Sequence, residues 1–238
     1  MTEPIFHHDA YTRMFDARVT ASEGDAVTLD RTAFFPGGGG QPCDVGVLAC
    51  ESGKERRVVS VRRRDGDIWH ELDGSAPAVG EAVLATLNWT NRHQLMRTHT
   101  ALHILCGVIW RDFGAHVTGG NMTPLAARMD FELESMSVDF AERVEELANA
   151  EIALARKINV RFLPRDEAMA HPDLIRTKIN LLPEGIPEVR VVDIDGLDVQ
   201  ADGGTHVADT SEVGRIRVVG HESKGRINKR LRIAVENA

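Results

Sequence analysis

The 238-residue sequence has no apolar run near the roughly 18–20 residues that a membrane-spanning helix needs. Its first residues, MTEPIFHHDAYTR, lack the basic-then-apolar layout of a secretory leader. Cysteine is scarce. Cys43, Cys50 and Cys106 are odd in number and form no CxxC pair, the usage of a reduced cytoplasmic protein whose thiols serve as small hydrophobes. No segment repeats and no low-complexity linker interrupts the chain. No Gly-Lys-Ser/Thr follows the one glycine-rich run, which excludes a nucleotide P-loop. No glutamate follows His99, so the HExxH arrangement of metalloproteases is absent. No Ser-His-Asp or Cys-His arrangement is apparent, and covalent catalysis is not favoured.

What remains is an ordinary soluble composition, 42% hydrophobic and 27% charged, with a net charge of −8. That sign argues against bulk, nonspecific nucleic-acid binding. The charge is uneven, however. KERRVVSVRRR, Lys54–Arg64, holds six basic residues against one acid, and Gly214–Arg232 holds seven against one. Such stretches are either strand edges kept soluble by Lys and Arg or local patches for phosphates, and charge alone favours the first.

Up to about residue 88 the pattern is β. FDARVTASEGDAVTLDR carries two β-prone runs around Glu23-Gly24-Asp25, a hairpin signal. RRVVSVRR, DIWHEL and EAVLATLNW are further short runs separated by Asp-Gly pairs, which suggests a small barrel. From Thr90, a candidate N-cap, the pattern turns helical to Trp110, with Leu95, His99, Leu102, His103 and Cys106 on one face. A second helix is predicted over Val138–Ile158, with Phe140, Val144, Leu147, Leu154 and Ile158 as its apolar stripe. A short helix is expected after Pro164, and strands at Val189–Ile194, Ile216–Val219 and Leu231–Val235. The chain therefore reads as α+β, with a β-barrel domain over 1–88 and an α+β domain over 89–238.

Two short segments carry closely spaced chemistry. His99 and His103 lie one helical turn apart, so both imidazoles leave one face and can reach one metal at about 2.0–2.1 Å. In QADGGTHV, Asp202 and His206 flank two glycines whose freedom to adopt positive φ would bring both side chains to one point. Either segment alone is more simply a polar helix face or an Asp-Gly turn. Together, three histidines and a carboxylate suit zinc, and also other divalent metals. Cys106 shares the helical face of His103 but reads as a buried small hydrophobe. His7, His8, His70, His93, His116, His171 and His221 show no ligand spacing. The run Thr32-Ala33-Phe34-Phe35-Pro36-Gly37-Gly38-Gly39-Gly40-Gln41-Pro42 is either a tight β-connection or the wall of a site, with Thr32 and Gln41 as its polar groups.

These segments together resemble one family, the freestanding alanyl-tRNA editing proteins (AlaX-type, medium-length form). They are also similar to the editing domain of alanyl-tRNA synthetase. The family's Thr-x-Phe-Tyr-Pro, Gly-Gly-Gly-Gln, His-Thr-Ala-x-His and Cys-Gly-Gly-Thr-His motifs appear here as Thr32-Ala33-Phe34-Phe35-Pro36, Gly38-Gly39-Gly40-Gln41, His99-Thr100-Ala101-Leu102-His103 and Asp202-Gly203-Gly204-Thr205-His206. The glycine-rich segment favours the alanyl over the threonyl branch, and a long C-terminal tRNA-binding region is not expected.

The resemblance implies an N-terminal β-barrel followed by an α+β editing domain. It implies zinc held by His99, His103, Asp202 and His206, with Asp202 standing where the family usually has cysteine. A carboxylate is harder than a thiolate, so another divalent metal is possible there. Thr32, Gln41, Gly38, Gly39 and Gly40 are implied to bind substrate. The implied reaction is ATP-independent hydrolysis, by a metal-positioned water, of tRNA(Ala) mischarged with serine or glycine. The partner is the acceptor end of tRNA(Ala), in the cytoplasm, with no membrane and no obligate protein partner. Two other readings are another metal-dependent ester or amide hydrolase on the same scaffold, and a non-catalytic RNA-binding module.

Overall fold

A computed structural model describes residues 2–171, 174, 176 and 185–237. The chain divides into two compact units, Met1–Gln94 and Leu95–Ala238.

The first unit holds β1 (Glu3–Pro4), β2 (Met14–Glu23), β3 (Ala26–Leu29), β4 (Arg31–Thr32), β5 (Gly46–Cys50), β6 (Glu55–Arg64), β7 (Asp67–Leu72) and β8 (Ala82–Leu87). Six of these close a barrel in the order β2-β3-β7-β6-β5-β8, while β1 and β4 form a short parallel pair. Alternation builds the barrel: along β2, Phe15, Ala17 and Val19 point inward while Asp16 and Arg18 face solvent. In β6 the inward residues are Val58 and Val61, an odd spacing that strict alternation forbids. The register shift between Val58 and Ser60 absorbs the extra residue and leaves Val59 exposed.

The basic stretch on β6 is a solvated face. Arg57 pairs with Asp73 at 2.7 Å, Arg62 with Glu71 at 2.6 Å and Arg64 with Glu23 at 2.7 Å. Arg64 also stacks 3.7 Å over the Trp69 ring. The second basic stretch is similarly engaged: Arg230 grips Asp130 at 2.6 and 2.8 Å, Arg232 meets Glu222 and Arg217 meets Glu145.

The glycine-rich segment is a hairpin tip. Gly38 and Gln41 exchange backbone hydrogen bonds of 3.0 and 2.9 Å, and the intervening Gly39 and Gly40 have φ of 59° and 88°. That turn needs two consecutive left-handed residues, which glycine adopts without penalty. No neighbour lies within 4 Å of where a Cβ would sit on Gly38 or Gly39. Below the tip, Phe35 N donates to Asp44 Oδ2 at 2.6 Å, and Asp44 is ion-paired with the fully buried Arg92.

His70 lies at the barrel core, its Nε2 2.8 Å from Thr32 Oγ1 and its Nδ1 3.3 Å from Val27 O. Burial pulls its pKa down to about 4, against the backbone hydrogen bond to Val27. The unfolded chain therefore binds a proton between about pH 6.5 and 4 that the folded barrel refuses, and stability falls as pH falls through that window. Lowering the pH from 7 to 5 should cost about 2 kcal/mol through this residue. Denaturant unfolding at both pH values, compared with His70→Asn, checks this; an equal pH slope in the variant would contradict it.

The second unit contains most of α1 (Trp89–Phe113), then β9 (Val117–Thr123), β10 (Ala126–Phe131), α2 (Val138–Ala153), β11 (Ile158–Pro164), α3 (Arg165–Ala170), β12 (Glu188–Ile194), β13 (Asp198–Ala201), β14 (Arg215–Gly225) and β15 (Asn228–Glu236). One antiparallel sheet runs β14-β15-β10-β9 and another β11-β12-β13. Every residue of α1 from Leu95 to Ile109 is buried, so the helix forms a core rather than presenting one apolar face.

Several boundaries differ from the sequence-based expectation. Asn88, not Thr90, caps α1: its Oδ1 accepts from Asn91 N at 3.1 Å. Helix α2 stops at Ala153 rather than Ile158, because Ala155 turns left-handed with φ 49° and Ile158 opens β11. Its buried stripe is Ala141, Val144, Ala148 and Ile152, and Leu154 is exposed. The hairpin β9–β10 was not anticipated. Among the described residues, no helix is long and apolar enough to cross a membrane.

Candidate metal centre

The second unit brings the two short motifs together. His99 and His103 project from α1, and Asp202 and His206 come from the loop after β13. One donor atom from each lies within 4.8 Å of the others. The ring centroids are 5.1 Å apart for His99 and His103, 4.3 Å for His99 and His206, and 4.7 Å for His103 and His206. His99 Nε2 is 3.6 Å from Asp202 Oδ1, and His206 Nε2 is 3.0 Å from Asp202 Oδ2. Tetrahedral bonds of about 2.0–2.1 Å put neighbouring donors about 3.4 Å apart, so these separations suit one divalent ion.

The loop reaches this geometry by a route other than the expected one. Neither Gly203 nor Gly204 has a positive φ. Instead Gly204 N donates to Asp202 Oδ2 at 2.8 Å, an Asx turn that fixes the carboxylate. Arg190, on β12, donates to Asp202 O at 2.8 Å and lies 3.8 Å from Oδ2.

Each imidazole is held from behind. His103 Nδ1 lies 3.1 Å from Asp198 Oδ2, His206 Nδ1 lies 3.2 Å from Thr100 Oγ1, and His99 has a backbone hydrogen bond to Thr205. Partners on the far nitrogens leave the near ones to converge, the usual backing of metal-ligating histidines. The three histidine side chains are at most 8% exposed, whereas the Asp202 side chain is 14% exposed, so solvent approaches from the carboxylate side.

The protonation states of three of the four groups suit a metal. Burial pulls His99 down to about 4 and His206 well below its ordinary value, so both offer lone pairs at neutral pH. Burial would raise the Asp202 carboxyl, but His99, His206 and His103 outweigh it and hold it well below the carboxylate range. Burial would lower His103, but its hydrogen bond to Asp198 and that residue's charge raise it instead.

Residues 5–91 match the class II (A) tRNA synthetase model, and 189–232 match the threonyl and alanyl tRNA synthetase second additional domain. The alanyl-tRNA editing protein AlaX-M of Saccharolobus solfataricus is 40% identical over 238 residues, covering 99% of this chain and 100% of that protein. The chain belongs to the alanyl-tRNA editing protein family. A second family member, AlaX-M of Methanosarcina acetivorans, is 38% identical over 97% of this chain and 98% of its own. The alanine–tRNA ligase of Ignicoccus hospitalis is 40% identical over 92% of this chain, which spans only 24% of that larger enzyme.

The other residues that the family resemblance singled out lie in the barrel unit. Thr32 and Gln41 are buried, Gly38 and Gly39 are exposed, and Gly40 is partly exposed. Sequence reasoning missed Thr100, Arg190, Asp198 and Gln200. A signal existed for two of them: Asp198, Gln200 and Asp202 recur at every second position, which points them to one face of a strand.

Proposed function

We propose that this protein hydrolyses the ester linking a wrong amino acid to tRNA(Ala), serine first and glycine second, with zinc as the resident metal. The observation that supports this most is the convergence of His99, His103, Asp202 and His206 in a chain of the editing family. Such an activity has a physical rationale. A synthetic pocket shaped for alanine cannot exclude the smaller glycine or strongly reject the added hydroxyl of serine, so a second site must remove the product.

The imidazoles of His99, His103 and His206 and the carboxylate of Asp202 would hold the cation. When bound, it supplies positive charge to orient the aminoacyl group and a water for attack. Water adds across the ester, releasing the free amino acid and the tRNA with its 3′-terminal hydroxyl restored. Asp202 is the hard donor of the set, and metals such as manganese compete better with zinc for a carboxylate than for a thiolate.

Thr32, Gln41 and the Gly38–Gly40 tip take the role of amino-acid recognition. His70 is neutral at pH 7 and its Nδ1 faces the Val27 carbonyl, so its Nε2 accepts the Thr32 proton. Thr32 Oγ1 also accepts from Phe34 N at 3.1 Å. That fixes the hydroxyl and orients its remaining lone pair, the feature needed to accept a hydrogen bond from serine.

Deacylation of Ser-tRNA(Ala), Gly-tRNA(Ala) and Ala-tRNA(Ala) by the metal-loaded protein tests this. Ser-tRNA(Ala) should be cleaved about 100-fold faster than Ala-tRNA(Ala), and Thr32→Val should shrink that ratio. If both mischarged tRNAs survive full metal loading, the reading fails.

A further inference from the structure

We propose that Asp198 is the positioning residue of the metal centre, fixing which nitrogen of His103 faces the metal, and that Gly107 exists to let it do so. The inference rests on the metal-centre reading above and adds to it two residues that supply no metal bond.

Asp198 opens β13 with its side chain wholly buried. Its Oδ2 faces His103 Nδ1 at 3.1 Å and accepts from Gln200 Nε2 at 2.7 Å. Its Oδ1 is buried with no hydrogen-bond partner among the described residues. A buried carboxylate with so few donors is expensive to maintain, so the contact with His103 must repay it. An imidazole whose Nδ1–H donates to a carboxylate has its lone pair on Nε2, the nitrogen left to face a metal. Gln200 donates to the same oxygen and keeps the carboxylate from rotating away.

Gly107 supplies the space. It lies one turn beyond His103 on α1, within the stretch from Leu95 to Ile109 that is buried throughout. A Cβ on Gly107 would sit 3.0 Å from Asp198 Cβ, 2.9 Å from Leu197 Cγ and 3.0 Å from the Leu197 carbonyl oxygen. The carbonyl belongs to the backbone and cannot swing aside as a side chain would. An alanine here would push the Leu197–Asp198 turn off the helix and open the Asp198–His103 contact without removing any polar group of the site. A mid-helix glycine costs about 1 kcal/mol relative to alanine, so its presence calls for a close approach of this kind.

The test is the equilibrium zinc affinity of the full chain, measured by competition with a chromophoric chelator, for the native protein, Asp198→Asn, Gly107→Ala and the double variant. Each single variant should bind zinc about 10- to 100-fold more weakly. The double variant should lose less than the sum, because both changes act on one contact. In the zinc-loaded protein, the His103 Nδ1–H proton should resonate far downfield and move upfield in Asp198→Asn, while the His99 and His206 signals hold. If Asp198→Asn does not fold, Gly107→Ala carries the affinity test alone. Native-like zinc affinity in the single variants overturns the proposal and leaves the metal centre standing. A native protein that binds no zinc or other divalent ion overturns both.

Discussion

Replacing Asp44 with alanine is expected to cost about 3–5 kcal/mol of stability, the penalty for stranding a buried charge. Arg92 is fully buried, and its guanidinium donates to Asp44, to Ala10 O and to Ala33 O. The two carbonyls would remain, but neither neutralises the cation. The same change removes the acceptor of Phe35 N, which ties down one end of the glycine-rich hairpin. The loss should therefore combine lower global stability with a looser hairpin. Chemical denaturation followed through Trp69, which lies in the barrel, reads the first, and amide exchange over 35–44 reads the second. Removing both charges, as Asp44→Ala with Arg92→Met, should cost less than Asp44→Ala alone plus Arg92→Met alone. A loss below about 1 kcal/mol for Asp44→Ala would place the pair among weak surface bridges and contradict its burial.

The second large effect is at Asp202, where two substitutions should move the metal in opposite directions. Asp202→Ala removes one of four donors. Structural zinc sites bind with about 10–16 kcal/mol, so one ligand is worth about 3 kcal/mol, or about 100-fold in affinity. Asp202→Cys replaces the carboxylate with a thiolate, which should tighten zinc and widen its advantage over manganese. Zinc and manganese titrations of both variants against the native protein check this. Unchanged zinc affinity in Asp202→Ala would remove the carboxylate from the donor set.

The candidate metal cluster was legible because its four residues come in two local motifs. His99 and His103 are set by helical periodicity, and Asp202 and His206 by a four-residue loop, so neither pair depends on distant packing. What joins the pairs is tertiary and was not legible: the stacking of β13 against α1 at Gly107 left no trace in hydrophobic pattern. The loop's glycines pointed to the right place for the wrong reason, since an Asx turn at Asp202, rather than positive φ, shapes it. The barrel followed from alternation and Asp-Gly turns, with one bulge in β6. The hairpin β9–β10 was hidden because VTGGNMT carries two glycines and no strict alternation. Helix α2 was overextended because Leu154 and Ile158 continue its spacing by coincidence, on opposite sides of a left-handed Ala155. The charge runs left strand edges and phosphate patches both open, because the carboxylates that most of their arginines meet lie elsewhere in the chain, where a count of local charge does not show them.

We propose that His99, His103, Asp202 and His206 hold one divalent ion on which deacylation depends. The most direct measurement is Ser-tRNA(Ala) hydrolysis as a function of bound metal, starting from protein stripped by a chelator. Negligible cleavage by the stripped protein, recovery in proportion to zinc, and saturation at one equivalent per chain are expected. Full activity in the stripped protein, or saturated zinc with no cleavage of either mischarged tRNA, would contradict it.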